Sequence, residues 1–136
     1  MRLIVCLDDR NGMMFNGRRQ SRDSVVCDRI IAESGDNELW MSAYSAKLFA
    51  GYEIAVRVDD NFLMKAKAED VCFAEDGDVA AYAKKVDQLI VYKWNRHYPA
   101  DKHFPMELFA DMKMAGVAEE FPGNSHEKIT MERYVR

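Results

Sequence analysis

Residues 88–105 read QLIVYKWNRHYPADKHFP. In an extended chain, side chains alternate between two faces. Leu89, Val91 and Lys93 then fall on one side, and Ile90, Tyr92 and Trp94 on the other. A run that is apolar on both sides is what a strand needs in the middle of a sheet covered on both faces. Residues 95–105 turn polar and carry Pro99 and Pro105, so they read as a crossover into a last strand pair. Trp94 and Tyr98, aromatics with a polar atom, are expected at a surface or an interface. His97 and His103 flank Pro99 and share no helix face. With no H-E-x-x-H and no C-x-x-C in the chain, they read as ordinary solvated or strand-edge side chains. No metal site is therefore expected, and a metallo-hydrolase or zinc nuclease is argued against.

Outward from that strand, RLIVCL (2–7) is a second buried run of strand length, predicted to be its neighbour at the sheet centre. DDRNGMMFNGRRQ (8–20), with Asn-linked Gly12 and Gly17, reads as a long loop. Ser21 is placed as the cap of a helix that carries Val25, Val26, Ile30 and Ile31 and stops near Gly35. ELWM (38–41), YEIAV (52–56) and VCFA (71–74) read as strands. AYSAKLF (43–49) and VAAYAKKV (79–86) read as helices. Segments 112–121 and 127–135 read as an antiparallel pair closed by PGNS, with Met112, Met114, Ile129 and Met131 on a core face. Strands alternating with helices, then a terminal strand pair, indicate an α/β fold: one mixed central sheet with helices on both faces.

The bulk composition fits one domain over residues 1–136. Apolar residues make up 49% and charged residues 31% of the chain, an ordinary globular balance rather than a disordered one. The net charge of −4 does not favour nucleic acid as a partner. LIVCL is too short for a signal-peptide core or a membrane span, so a cytoplasmic protein without a membrane partner is expected. Cys6, Cys27 and Cys72 are odd in number and widely spaced, as buried thiols in a reducing compartment are. No G-x-S-x-G, Walker A or G-x-G-x-x-G sequence occurs, so neither a Ser or Cys hydrolase nor a phosphate loop has a motif here. The turn EDGD (75–78) joins a strand to a helix, but Glu75, Asp76 and Asp78 surround its one glycine and would repel phosphate. Arg18, Arg19 and Arg22 stand beside Asp23. They form either a solvated basic run or a site for a carboxylate or phosphate.

Several segments together resemble a shortened, divergent dihydrofolate reductase. That family runs from a strand of the form LYLT through a variable stretch into GDTxFP. LIVYKWNRHYPADKHFP (89–105) has the same length, with Asp101, Phe104 and Pro105 in matching places. RLIVCLDDRNGMMFNG resembles the family's first strand and active-site loop, LWMSAYSAKLF its VIMGRKTYESL, VCFAEDGDVAAY its IFVIGGxxxY, and NSHEKITMERYVR its last strand. The resemblance implies a dihydrofolate-reductase type of mixed sheet. It also implies Asp23 as the catalytic acid, since QSRDSVVC stands where the family has LPxDLxxF. Met14, Arg19, Arg22, Cys27 and Tyr92 would line the substrate pocket. Ser45 and Gly77 would touch the cofactor, NADPH. The departures fall on those working positions. Cys27 replaces the stacking aromatic, and Tyr92 replaces the strand threonine. Ser42 and Ala43 replace the Gly-Arg of GRKT, and an acidic residue replaces one glycine of the cofactor turn.

The reading that follows is a divergent, non-catalytic relative that binds a small ligand or a partner chain, a second copy of itself included. In that arrangement Tyr92 fills the pterin space and Asp23 pairs with Arg19 or Arg22. The alternative is an NADPH-dependent reductase of a pterin or related molecule, with Asp23 at raised pKa in an open pocket. A third reading is an anion- or nucleotide-binding protein that uses Arg18, Arg19 and Arg22.

Overall fold

The computed structural model describes all 136 residues. Eleven strands are present in chain order: β1 (Arg2–Leu7), β2 (Gly12–Phe15), β3 (Arg18–Arg19), β4 (Leu39–Met41), β5 (Val56–Val58), β6 (Val71–Phe73), β7 (Gln88–Lys93), β8 (Lys102–His103), β9 (Lys113–Met114), β10 (Glu119–Phe121) and β11 (Ile129–Val135). The helices are α1 (Ser24–Ser34), α2 (Ala43–Ala46), α3 (Phe62–Lys65) and α4 (Met106–Ala110). The main sheet runs β10-β11-β7-β1-β6-β4-β5, with β9 also on β11. Strands β7, β1, β6, β4 and β5 are mutually parallel, and β11 enters antiparallel to β7. The sheet is therefore mixed, as expected.

The two runs that suggested the fold are adjacent at its centre, in register from Arg2↔Gln88 to Leu7↔Lys93. Their alternation sorts the core. Leu3, Val5, Leu89 and Val91 face the side covered by Phe62 and Leu63 of α3 and Leu108 of α4. Ile4, Ile90, Tyr92 and Trp94 face the side covered by Val26, Cys27 and Ile30 of α1. Trp94 is thus core, not surface: it is buried against His126, with ring centroids 4.6 Å apart.

Several expected boundaries move. Residues 8–20 are not a plain loop. β2 and β3 form a hairpin across Asn16 and Gly17, whose φ values of 53° and 72° make the tight turn that matches strand twist. β8, inside the predicted crossover, adds a third strand to that hairpin. Helix α1 is capped by Asp23, not Ser21, because the Asp23 carboxylate accepts the Val25 N–H at 2.9 Å. Gly35 ends it with φ 55°, as read. The strand expected at 52–56 begins only at Val56. Upstream, Tyr52 and Ile54 donate backbone bonds to Phe49 and Tyr52, which keeps that stretch in turns. Residues 80–85 form 3-10 turns rather than an α-helix, with Tyr82 leaving helical angles at φ −116°. The 112–121 strand is split by Gly116 at φ 74°, and the two pieces pair separately with β11. Met114 consequently faces outward, at 43% exposure, instead of into the core.

Candidate functional site

In open α/β sheets, ligands gather at the carboxyl ends of the parallel strands. Here that edge brings together the end of β1, the start of α1, the turn after β6 and the end of β7. Between them lies a crevice lined by Cys6, Ser21, Arg22, Asp23, Cys27 and Trp94, among others. Its cavity is only about 10 Å³, which is room for one water. Small-molecule pockets are usually some 300–1,000 Å³.

Asp23 sits at the base of this crevice, 4% exposed. Its oxygens accept the backbone N–H groups of Val25, Asn124 and Ser125 at 2.9, 2.9 and 2.8 Å. The Ser125 hydroxyl reaches the same carboxylate at 3.1 Å, and His126 Nδ1 lies 2.9 Å from it. Burial by itself would raise the carboxyl pKa. The Asn124 amide, the His126 ring and the other donors outweigh it and hold the group well below the ordinary range. Asp23 is therefore an ionised acceptor, not a proton donor with raised pKa. The turn that delivers these donors must come very close. A Cβ on Gly123 would lie 2.5 Å from Asp23 Oδ2 and 2.8 Å from Ile129 Cδ1.

Neither arrangement expected for Asp23 is the observed one. Its partner is His126, and Arg19 is engaged elsewhere. Arg19 makes a two-pronged pair with Glu75, Nε to Oε2 at 2.7 Å and Nη2 to Oε1 at 3.0 Å. Its guanidinium also lies over the Tyr44 ring, 4.6 Å from the centroid. Tyr92 does not line the crevice. It is buried in the sheet core, edge-on to Phe121, and desolvation of its hydroxyl raises its pKa. Met14 is also core, 4% exposed, because its strand packs it inward opposite Arg19. Cys27 and Arg22 do line the crevice, and Arg22 makes no ion pair or side-chain hydrogen bond. Burial raises the thiol pKa values of Cys27 and Cys72, the latter to about 12, so both act as packing groups.

The two residues matched to the cofactor are engaged within the chain. Ser45 is fully buried and donates to Glu75 Oε1 at 2.8 Å. Gly77, at φ 94°, accepts Lys102 Nζ at 2.6 Å on its carbonyl. Close backbone approach and free N–H groups hold a pyrophosphate. At this turn Glu75 occupies the inner side, and Asp76 carries a buried Oδ1 without a partner. These residues do not fit a dinucleotide's phosphates.

Outside the crevice, β3 and residues 98–99 frame a shallow cavity of about 310 Å³, lined by Phe15, Asn16, Arg18, Arg19, Gln20, Tyr98 and Pro99. Arg18 has no ion pair there, and Gln20 Oε1 is buried without a donor. His97 and His103 do come to one cavity, together with Asp8 and Arg10. Asp8, however, already accepts the Arg10, Gly12 and Tyr98 amides and the Gln20 side chain. No group of three or more His, Cys, Asp or Glu side chains is placed to hold a metal ion. No helix is long and apolar enough to cross a membrane.

His126 is the member of the site that no sequence motif marks. Its partner Asp23 is 103 positions away. The one available signal was a turn rich in donors, PGNS, ahead of a lone histidine.

No protein-family model matches the chain, and no curated protein matches it. Among solved structures, it is similar to the dihydrofolate reductase from Enterococcus faecalis complexed with NADP(H) and RAB-propyl. The superposition covers 99% of this chain and 95% of that one, with a TM-score of 0.71 and 12% identity. With its central parallel strands, antiparallel last strand and acid-capped first helix, the chain has the dihydrofolate reductase fold.

Proposed function

We propose that this protein uses the dihydrofolate reductase fold to bind a small anionic ligand and does not reduce pterins. One observation carries the reading. The crevice where the fold would admit a pterin has a cavity of about 10 Å³, and its acid is held ionised by donors from the 122–126 turn. A reductase acid must deliver a proton, and a carboxylate stabilised this strongly as the anion is a poor source of one. The ligand is assigned instead to the cavity lined by Arg18, whose guanidinium has no ion pair, together with Asn16 and Tyr98. A free guanidinium there suits a small carboxylate or phosphate.

The test is a thermal-shift series with nucleoside monophosphates, small dicarboxylates, folates and nicotinamide cofactors. A ligand at one hundred times its dissociation constant adds about 2.7 kcal/mol of stability. A shift with an anion, lost in Arg18→Ala, supports the reading. A second reading is favoured by the NADP(H) held by the Enterococcus faecalis enzyme: NADPH-dependent reduction with Asp23 as the proton-handling group. NADPH oxidation that depends on dihydrofolate or a simpler pterin, and is abolished in Asp23→Asn, would establish it and overturn the first.

A further inference from the structure

We propose that Ser21, His126 and Asp23 form a nucleophile, base and orienting carboxylate for the hydrolysis of short-chain acyl esters. The proposal goes beyond anion binding and does not depend on it. Ser21 Oγ lies 2.9 Å from His126 Nε2, and His126 Nδ1 lies 2.9 Å from Asp23 Oδ2. Two consecutive hydrogen bonds through one imidazole are the geometry by which a serine is activated, and it is identified by roles rather than by chain order.

The proton positions follow from the partners. Asp23 is surrounded by donors, so Nδ1 must carry a hydrogen and give it to the carboxylate. In the neutral ring, Nε2 then presents its lone pair to the Ser21 hydroxyl. The ring is held in that orientation by stacking on Trp94, with an interplanar angle of 23°. His126 is buried while Ser21 is half-buried, so the nucleophile faces the crevice mouth and the base is shielded behind it. Tyr98 Oη also points at Nε2, but at 3.4 Å it is the weaker contact. Glu75, the other acid lining the crevice, is already bound by Arg19 and Ser45.

Ser21 adds little to the structural latch. The 122–126 turn is fastened to α1 through Asp23 without it. Arg22, next along the chain, lines the same crevice as an unpaired cation. The backbone N–H groups of Ser21 and Arg22 make no hydrogen bond within the chain. A developing oxyanion beside Ser21 would therefore have the Arg22 charge in the same crevice and two neighbouring backbone N–H groups not committed elsewhere.

In the first half-reaction, Ser21 Oγ bonds to the ester carbonyl carbon and its proton passes to His126 Nε2. The tetrahedral oxyanion collapses, the carbon–alkoxide bond breaks, and the alcohol leaves with the proton from Nε2. In the second half-reaction, water attacks the acyl-serine and gives a proton to Nε2. The carboxylic acid departs and Ser21 regains its proton, so the sum is ester plus water to acid plus alcohol. With room for about one water inside, the crevice encloses no acyl chain, so only a small ester presented at its mouth, where Ser21 is half-buried, would be attacked.

The experiment uses the full chain with p-nitrophenyl acetate and, separately, a fluorophosphonate probe followed by peptide mass analysis. The expected result is hydrolysis that falls at least about 100-fold in Ser21→Ala with an unchanged melting temperature, and a single phosphonyl adduct on Ser21. Asp23→Asn, a change at a positioning residue, should lower kcat and leave KM in place. Should Ser21→Ala fail to fold, the labelling of the unaltered chain decides. Absence of an adduct on Ser21, an adduct only elsewhere, or hydrolysis retained in a folded Ser21→Ala would overturn the proposal.

Discussion

Asp23 and Glu75 are two buried carboxylates lining one crevice, and they are neutralised in different ways. Asp23 is held by backbone amides from a distant turn and by an imidazole. Glu75 is held by a guanidinium fork and a hydroxyl. The first kind of partner is fixed by the chain path, so removing the acid strands several donors at once. The second is a side-chain pair that can be removed as a unit. A buried ion pair replaced on both sides by apolar groups is often neutral, whereas removing one member is costly.

The comparison can be broken most forcefully at Asp23. Asp23→Ala leaves three amides and His126 without their acceptor and should cost about 3–5 kcal/mol in urea unfolding. A loss below about 1 kcal/mol would show that water replaces the carboxylate and that the latch is not structural.

Acid titration probes the same group in the intact protein. The folded pKa of Asp23 is depressed, mainly by the Asn124 amide and His126 working against burial, and that of Asp8 is depressed by its amide donors. A depressed carboxylate contributes stability that is fully present above its unfolded pKa of about 3.9 and is lost as pH falls toward the folded value. The urea midpoint should therefore drop below about pH 4, and by less in Asp23→Asn. Parallel curves for the two proteins would remove Asp23 from the acid response.

At the second carboxylate, Glu75→Ala should cost about 2–3 kcal/mol, because Arg19 is left partly buried and unpaired. The double variant Glu75→Leu with Arg19→Met should return to within about 1 kcal/mol of the starting chain. A double variant as unstable as the single would mean that the pair cannot be exchanged as a unit and that the contrast with Asp23 is false.

Gly123→Ala is the sharper test of backbone approach. Its methyl group would press on Asp23 Oδ2 and Ile129, at about 1–3 kcal/mol. Smallest is Gly17→Ala in the hairpin, where open space surrounds the site and only the positive φ of 72° is strained, at about 1 kcal/mol. Thermal melts of the two variants should rank in that order.

Much of the sheet was legible because its central strands carry their own evidence. RLIVCL and QLIVYKW are apolar on both faces, and only a sheet covered on both sides satisfies that. The hairpin at Asn16–Gly17 was also legible in principle, since two consecutive residues suited to positive φ mark this turn. Its sequence nonetheless resembles a loop, because β2 and β3 are short and one partner strand, β8, comes from the far side of the chain. Asp23 was singled out, and so were Cys27 and Arg22. The partner of Asp23 is not legible, because Arg19 and Arg22 are plausible local partners and His126 lies 103 positions away.

The sequence by itself determined the class of fold, the central strands, the carboxylate Asp23 at the start of the first helix and the acidic character of the turn after β6. Periodicity and residue chemistry are local properties, and they survive being read in one dimension. Only the tertiary structure decided which donor meets which acceptor. Glu75 takes Arg19 across 56 positions, and Asp23 takes the 124–126 turn across more than 100. Those choices depend on the path of β11 back beside β7, and on Gly123, whose missing side chain lets a backbone approach the carboxylate more closely than any other residue would allow.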